Sequence, residues 1–316
     1  MRKDEAIVVS GCQRRRGKSS TGWRLAAVIA ASALVALVGC ASNTETSGTS
    51  TSATTSVSVA RVDDIANTLP DKIKSSGKLV VGVNVPYTPN EFKDPGGKII
   101  GFDVDLMNAV ASVLGLKPDY RESDFDKIIP SIQGGTYDVG MSSFTDTKER
   151  EQTVDFVTYF SAGVLWAQRA GAPIDPNNAC GKKVAVQSTT IEDTDEIPAK
   201  SDACVKAGKP PIDKQKYDRQ DDATNALVLG KVDAMSADSP VTAWAIKQSN
   251  GKLQAAGETF DSAPYGWPVA KGSPLGQTLL KALEHLMQTG DYKTIASNWG
   301  VQSGMIQKPV INGAVS

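Results

Sequence analysis

Gly101-Phe-Asp-Val-Asp-Leu-Met-Asn-Ala-Val-Ala-Ser-Val-Leu-Gly115 sets the fold class. Leu106, Val110, Val113 and Leu114 recur at three- and four-residue steps and so share one face of an α-helix. Asp103 stands where a side chain can cap a helix start, and Gly115 where a glycine ends one. Upstream, Lys78–Asn84 carries Leu79, Val80, Val81 and Val83, an apolar run of strand length. Between the two, Asp94-Pro95-Gly96-Gly97 is a turn joining short extended pieces. Downstream, Tyr120 closes another extended segment. Phe125, Ile128, Ile129 and Ile132 then mark a helix stopping at Gly134-Gly135, and Tyr137–Met141 is the next strand. Strands alternating with helices predict an α/β domain with a largely parallel sheet.

The same grammar restarts after Cys180. Lys183–Gln187 and Ile212–Tyr217 read as strands, Ala223–Leu229 as a helix ending at Gly230, and Val232–Met235 as a strand. Ser273-Pro274 opens a helix with Leu275, Leu279, Leu280, Leu283, Leu286 and Met287 as its stripe, and Gly290 stops it. Gly135-Thr-Tyr-Asp-Val139 echoes Gly230-Lys-Val-Asp-Ala234. If the two segments are one repeated helix–strand unit, Ser143 and Asp238 occupy matching places, each five residues beyond the shared aspartate. Both then lie past the carboxyl end of a strand, where open α/β sheets bind ligands.

The N-terminus reads as a targeting segment. Arg14, Arg15, Arg16, Lys18 and Arg24 precede an apolar run from Leu25 to Val38. That run is shorter than the about 20 residues of a membrane span and suits a signal-peptide core. It ends in Leu37-Val38-Gly39-Cys40, which resembles a bacterial lipobox. Residues 1–39 are therefore expected to be removed and Cys40 to be lipidated. The basic stretch lies far from Met1, which leaves the start codon open. Residues 40–69 are expected to be the lipidated cysteine and a tether, Ser/Thr-rich and too polar to order itself from Ala41 to about Ala60. Of the four cysteines, Cys12 falls in the removed segment and Cys40 takes lipid. Cys180 and Cys204 remain, and in an exported protein a disulfide between them is expected.

Composition excludes several classes of function. The 316 residues carry a formal net charge of −1, which offers no basic surface to nucleic acid or to an anionic membrane. His285 is the single histidine, and it faces away from the leucine stripe of its helix, which leaves no Ser-His-Asp or Cys-His site. No His/Cys cluster has metal-ligand spacing and no phosphate-binding glycine loop appears, so no cofactor or metal is expected. The acidic runs Asp103–Asp105 and Glu122–Asp126 sit at helix starts, where capping and the helix dipole favour aspartate.

The Gly101–Leu106 motif, followed by Val110-Ala111 and Leu114, resembles the signature of the family 3 bacterial extracellular solute-binding proteins, the amino-acid receptors of ABC importers. The resemblance extends over roughly Leu79 to Val301. It takes in Val85-Pro-Tyr-Thr-Pro89, Ser142-Ser-Phe-Thr-Asp-Thr-Lys-Glu-Arg150, Lys183–Thr190, Val232–Pro240, and Gly290-Asp-Tyr-Lys293 with Asn298-Trp-Gly300. It implies a two-lobed, periplasmic-binding-protein-like (type II) α/β fold. Each lobe is a mixed, mostly parallel sheet with flanking helices, and the ligand cleft lies between the lobes. Lobe 1 is expected at residues 70–162 plus 266–316, lobe 2 at 163–265, and the hinge near Phe160–Gly163 and Ala263–Gly266.

The resemblance also implies roles for particular residues. Arg150 looks like the arginine that grips the ligand's α-carboxylate, a task that suits a planar guanidinium. Ser143 and Thr145, with Ser142 less directly, look like hydroxyl or backbone partners of the ligand. Asp238 looks like the carboxylate for the α-ammonium, besides standing at a cap position ahead of Ser239-Pro240. Tyr87 and Phe125 look like the walls, and Thr190 joins Arg150 at the carboxylate. Asn84 stands where the receptors for lysine, arginine and ornithine carry an acidic residue, so a polar, non-basic amino acid is expected. The chain departs from the family pattern in three places. Thr189 stands where many relatives have glycine, the cysteine pair is not general, and Pro89-Asn-Glu-Phe92 is longer than usual, which leaves Glu91 unplaced.

The implied activity is extracytoplasmic capture of an amino acid. Lobe closure follows ligand binding and is read by an ABC permease, and the membrane is touched through the lipid anchor alone. Two other readings stay open. One is a ligand-sensing lipoprotein that serves a signalling partner. The other is a dehydratase or lyase on the same fold, which is opposed by the lack of an extra carboxylate pair near the cleft motifs unless Glu91 supplies one.

Overall fold

The structure, a computed structural model, describes residues 57–315. The expected signal peptide, the Cys40 lipid site and most of the tether lie outside the described residues. Ten strands form the frame: β1 (Lys78–Val83), β2 (Phe92–Lys93), β3 (Ile99–Ile100), β4 (Lys117–Glu122), β5 (Val139–Gly140), β6 (Val154–Arg169), β7 (Lys183–Gln187), β8 (Asp213–Tyr217), β9 (Ala234–Asp238) and β10 (Leu253–Ala270). β2 and β3 make a small hairpin around the Asp94 turn, whose Oδ1 accepts from the Gly96 and Lys98 amides. The other eight strands are ordered β4-β1-β5-β10-β6-β9-β7-β8. The outer pairs at both ends are parallel, and the central ones are antiparallel.

β6 and β10 are far longer than the rest and pair along most of their length. They cross from one half of the sheet to the other. Their register slips between Phe260/Ala263 and between Tyr265/Gly266, beside Ala162 and Phe160. Each half has its own core. On one side, the buried face of the helix Phe102–Leu114 packs with β1 and with the leucine stripe of the helix Pro274–Thr289. On the other, Val164, Trp166, Val184, Val186 and Ile197 form one cluster, and Ala185, Leu227 and Met235 lie in another. Cys180 and Cys204 are joined by the expected disulfide.

The helix punctuation is as expected at Gly115 and Gly290, both left-handed C-caps, and at Ser273, whose Oγ accepts from the Leu275 amide at 3.3 Å. It differs at Asp103. Gly101 is the N-cap of that helix, and the Asp103 side chain is buried, making no cap bond. The sequence echo has a structural counterpart. The Asp138 carboxylate accepts from the Val80 amide at 2.9 Å, and the Asp233 carboxylate accepts from the Lys183 amide at 2.9 Å. Each aspartate ties its strand to the neighbouring parallel strand, so Ser143 and Asp238 emerge at equivalent edges facing the same space.

Candidate functional site

All nine expected ligand residues line one cavity: Asn84, Tyr87, Phe125, Ser142, Ser143, Thr145, Arg150, Thr190 and Asp238. Gln187, Ile191 and Glu192 complete its wall. The sheet's parallel strands end here, as the topology requires.

Arg150 sits on a short helix, Lys148–Glu151, capped by Thr147 Oγ1. Its Nη1 donates to the Thr145 carbonyl at 2.8 Å and its Nη2 to the Thr189 carbonyl at 3.0 Å. The guanidinium lies 5.7 Å and 5.6 Å from the ring centroids of Phe125 and Phe144, which stack on each other at 4.3 Å. Burial holds its pKa below the usual arginine value. The ion pairs of the described residues do not include it. A carbonyl-oriented guanidinium without a carboxylate has the chemistry to accept an anion of matching planar shape.

Asp238 lies at the end of β9, 6% exposed. It accepts from the Tyr87 hydroxyl at 2.6 Å. Burial pushes its carboxyl up to about 6, against the pull of the Tyr87 and Tyr265 hydroxyls and the Arg150 charge. Although Asp238 precedes the helix Ser239–Gln248, its side chain makes no cap bond, so its carboxylate serves the cavity.

Thr189 holds φ +65, a left-handed conformation that an L-residue adopts at a cost. Its amide donates to Asp193 Oδ2 at 2.9 Å, and Asp193 is in turn held by Lys214 and Lys216 at 2.7 and 2.8 Å. Thr189 thus holds a glycine-like backbone, which aims its carbonyl at Arg150. Ser143 is likewise left-handed, with φ +50.

Asn84 is placed differently from its expected use. Its Nδ2 donates to the Ser123 carbonyl and its Oδ1 accepts from Gln187 Nε2, both at 2.9 Å. Both polar ends are thus engaged, one within its own half and one across the cavity, rather than held for a ligand amide. The argument for a non-basic ligand from Asn84 loses its ground. Reading the sequence also missed Glu192, which is 1% exposed, lines the cavity and has Oε1 without a hydrogen-bond partner. Burial, then the charge of Asp238, pushes its carboxyl up to about 8. Its signal was faint: an acidic run, Glu192–Glu196, immediately after the recognised Lys183–Thr190 segment.

The two halves of the sheet meet around this cavity through the Tyr87–Asp238, Asn84–Gln187 and Arg150–Thr189 bonds and a bond from Arg219 Nη2 to the Val85 carbonyl. Two globular halves on paired crossing strands, with one charged cavity between them, define a cleft-type binding protein. Residues 79–302 match the bacterial extracellular solute-binding proteins, family 3, and the chain belongs to that family. The relatives that follow are named as binding proteins. The Arginine-binding protein ArgT of Corynebacterium glutamicum is 43% identical, over 79% of this chain and 83% of its own. The ABC transporter glutamine-binding protein GlnH of Bacillus subtilis is 30% identical, over 72% and 82%. Among solved structures, an ancestral arginine-binding protein bound to arginine is 36% identical with a TM-score of 0.65, covering 71% of this chain and 98% of that one. The same figures hold for an ancestral arginine-binding protein bound to glutamine. These relatives give no support to a non-basic ligand in preference to a basic one. Among the described residues, no helix is long and apolar enough to cross a membrane, and no group of three or more His, Cys, Asp or Glu is placed to hold a metal ion.

Proposed function

We propose that the chain captures a cationic amino acid, arginine foremost, outside the cytoplasm and presents it to an ABC permease. One observation carries the choice of ligand. The cavity is lined by one guanidinium, Arg150, and two buried carboxylates, Asp238 and Glu192. An α-amino acid uses Arg150 for its carboxylate and Asp238 for its ammonium. Glu192 is left over, with an unpartnered buried oxygen. A ligand with a cationic side chain supplies the missing partner, and burying such a cation without one costs several kcal/mol. The names of the arginine-binding relatives support the same choice.

Glutamine is the second reading, favoured by the glutamine-binding relatives and by Glu192 itself. A carboxyl pushed up to about 8 is protonated at neutral pH and donates to an amide carbonyl as readily as an ionised one pairs a guanidinium.

Closure follows from the placement of the charges. Arg150 precedes the crossing strand β6, and Asp238 ends β9 beyond it. Lobe 1 (residues 70–162 plus 266–316) and lobe 2 (163–265) hinge at 160–163 and 263–266. A zwitterion satisfies both ends only when the lobes close, so binding shifts the equilibrium to the closed form that a permease reads. Lipidated Cys40 and the tether keep the protein at the membrane. A thermal-shift screen of the purified protein against the amino acids tests the reading. Arginine at 100 times its dissociation constant stabilises by about 2.7 kcal/mol, and stabilisation by neither arginine, lysine nor glutamine overturns it.

A further inference from the structure

Behind the cavity, outside its lining, lie two carboxyl groups that no ion pair compensates. Glu91 and Asp103 are both 0% exposed. The chain is built to bring them together. The Phe102 amide donates to the Pro89 carbonyl at 3.1 Å and the Asp103 amide to the Asn90 carbonyl at 3.0 Å. These bonds clamp the loop carrying Glu91 onto the start of the helix Phe102–Leu114. The clamp needs glycine at 101, where φ is +141 and a Cβ would stand 2.1 Å from the Asn90 carbonyl oxygen.

Glu91 Oε1 accepts from the Ser142 hydroxyl at 2.9 Å. Asp103 Oδ2 accepts from the Ser143 amide at 3.1 Å, the Ser143 hydroxyl at 3.0 Å and the Tyr159 hydroxyl at 2.7 Å. The second oxygen of each carboxyl, Glu91 Oε2 and Asp103 Oδ1, has no protein donor. The clamp and the anchoring of the two carboxyls on the consecutive residues Ser142 and Ser143 set them side by side. Among the described residues, the ion pairs of lysine and arginine go to other carboxylates. Two adjacent buried anions without a cation are untenable, and one proton held between the two bare oxygens satisfies both.

We propose that Glu91 and Asp103 form a carboxylic acid–carboxylate pair that shares one proton and acts as a positioning device, fixing the Ser142 and Ser143 hydroxyls as acceptors facing the ligand's ammonium. The Ser143 proton goes to the pair, and the Ser142 proton goes to Glu91 at 2.9 Å in preference to the Asn84 carbonyl at 3.3 Å. Ser142 Oγ also accepts from the Asn84 amide at 3.2 Å, and Ser143 Oγ accepts from Asn90 Nδ2 at 2.8 Å. What either hydroxyl has left to offer the cavity is a lone pair. The ammonium end of an amino acid therefore lies at Ser142, Ser143 and Asp238, and its carboxylate at Arg150. Burial, followed by the neighbouring Asp103 charge, pushes the Glu91 carboxyl well above the usual carboxylate range, and burial raises Asp103 as well, so the pair holds a proton where two separate carboxylates would not. The other titratable groups facing the pair are Tyr87, Tyr120, Tyr159, Tyr292 and Asp238, and none is cationic.

The inference rests on the proposed seating of an amino acid against these serines, and not on which amino acid it is. The test measures affinity for arginine and for glutamine, together with thermal unfolding, in wild type, E91A and E91Q. E91A, which frees the Ser142 hydroxyl and removes the shared proton from beside Asp103 Oδ1, loses about tenfold or more in affinity. E91Q restores binding to within about threefold, because its amide donates to Asp103 as the acid does. Infrared difference spectra of the ligand-free proteins, wild type minus E91Q at pH 7, show a carboxylic-acid carbonyl band. Wild-type affinity in E91A, damage in E91Q equal to that in E91A, or absence of the acid band overturns the inference. If wild type binds neither amino acid, the functional reading fails, while the infrared band still decides the pair. The band and E91Q suffice if E91A does not fold.

Discussion

Glu192 makes the choice between arginine and glutamine measurable as a pH dependence. With a neutral ligand in the closed cavity, its carboxyl stays pushed up to about 8 by burial and by Asp238. With a guanidinium beside it, the carboxyl ionises well below that. The arginine complex therefore holds one proton fewer than the glutamine complex at every pH between the two values. By linkage, the ratio of the affinities rises about tenfold per pH unit up to about 8 and is flat above it. From pH 6 to pH 8 the ratio grows by at most about 100-fold, or about 2.7 kcal/mol at 1.36 kcal/mol per unit. Asp238, pushed up to about 6, meets the α-ammonium of either ligand, so its titration cancels in the ratio. The protonation state of the open form cancels as well. Calorimetric titrations with both amino acids at pH 6, 7 and 8 give the slope. In Glu192→Gln the slope vanishes and the preference for arginine falls by about tenfold or more. A flat ratio in wild type, or an unchanged preference for arginine in the variant, refutes the assignment of Glu192 to the ligand's side chain.

Three further outcomes are expected. Arg150→Ala folds but leaves a ligand carboxylate without its partner. Calorimetry should show a loss of about 3–5 kcal/mol, or about two to four decades in affinity. Intact-mass measurement with and without reductant should show the Cys180–Cys204 bond, and its removal should cost about 3 kcal/mol of stability in denaturant melts. Cys40→Ser should leave the membrane fraction or remain unprocessed, as read by fractionation and immunoblot.

The fold was largely legible because its signals are local. Apolar periodicity located the helix Phe102–Leu114, and glycine stops placed its end and that of Pro274–Thr289. Strand bounds were less legible where packing decides them. β5 is two residues long, against the five expected from Tyr137–Met141, because its pairing with β1 covers only Val139 and Gly140. The nine expected residues were picked out through family motifs, and the fold gathers them around one cavity. The chemistry behind them was not found. Asp103 has the composition of a helix cap and the burial of a core residue, and only the partner loop at Pro89–Glu91 reveals which applies. Glu192 sits in an acidic run indistinguishable by sequence from a solvated helix start, yet the π-helical turn Glu192–Glu196 directs it inward.

The burial of these carboxyls bears on why an empty cleft should not stay shut. On the proposed reading, closing the lobes removes Asp238, Glu192 and Arg150 from water together, and desolvation is the first cause of the shift in each of their pKa values. The direct bonds across the cavity, such as Tyr87–Asp238 and Asn84–Gln187, exchange water for protein partners and contribute about 0.5–1.5 kcal/mol each, more where a charge is involved. They offset the burial of unpaired charge only in part. A ligand that brings one carboxylate and two cations supplies each of the three buried groups with its partner, and it does so only in the closed form. A glutamine brings one cation fewer, and its closed complex must take up a proton on Glu192 to reach the same neutrality. On the proposed reading the arrangement couples ligand charge to lobe closure: the amino acid that completes the cavity's charge is the one that shuts it without drawing a proton from solution.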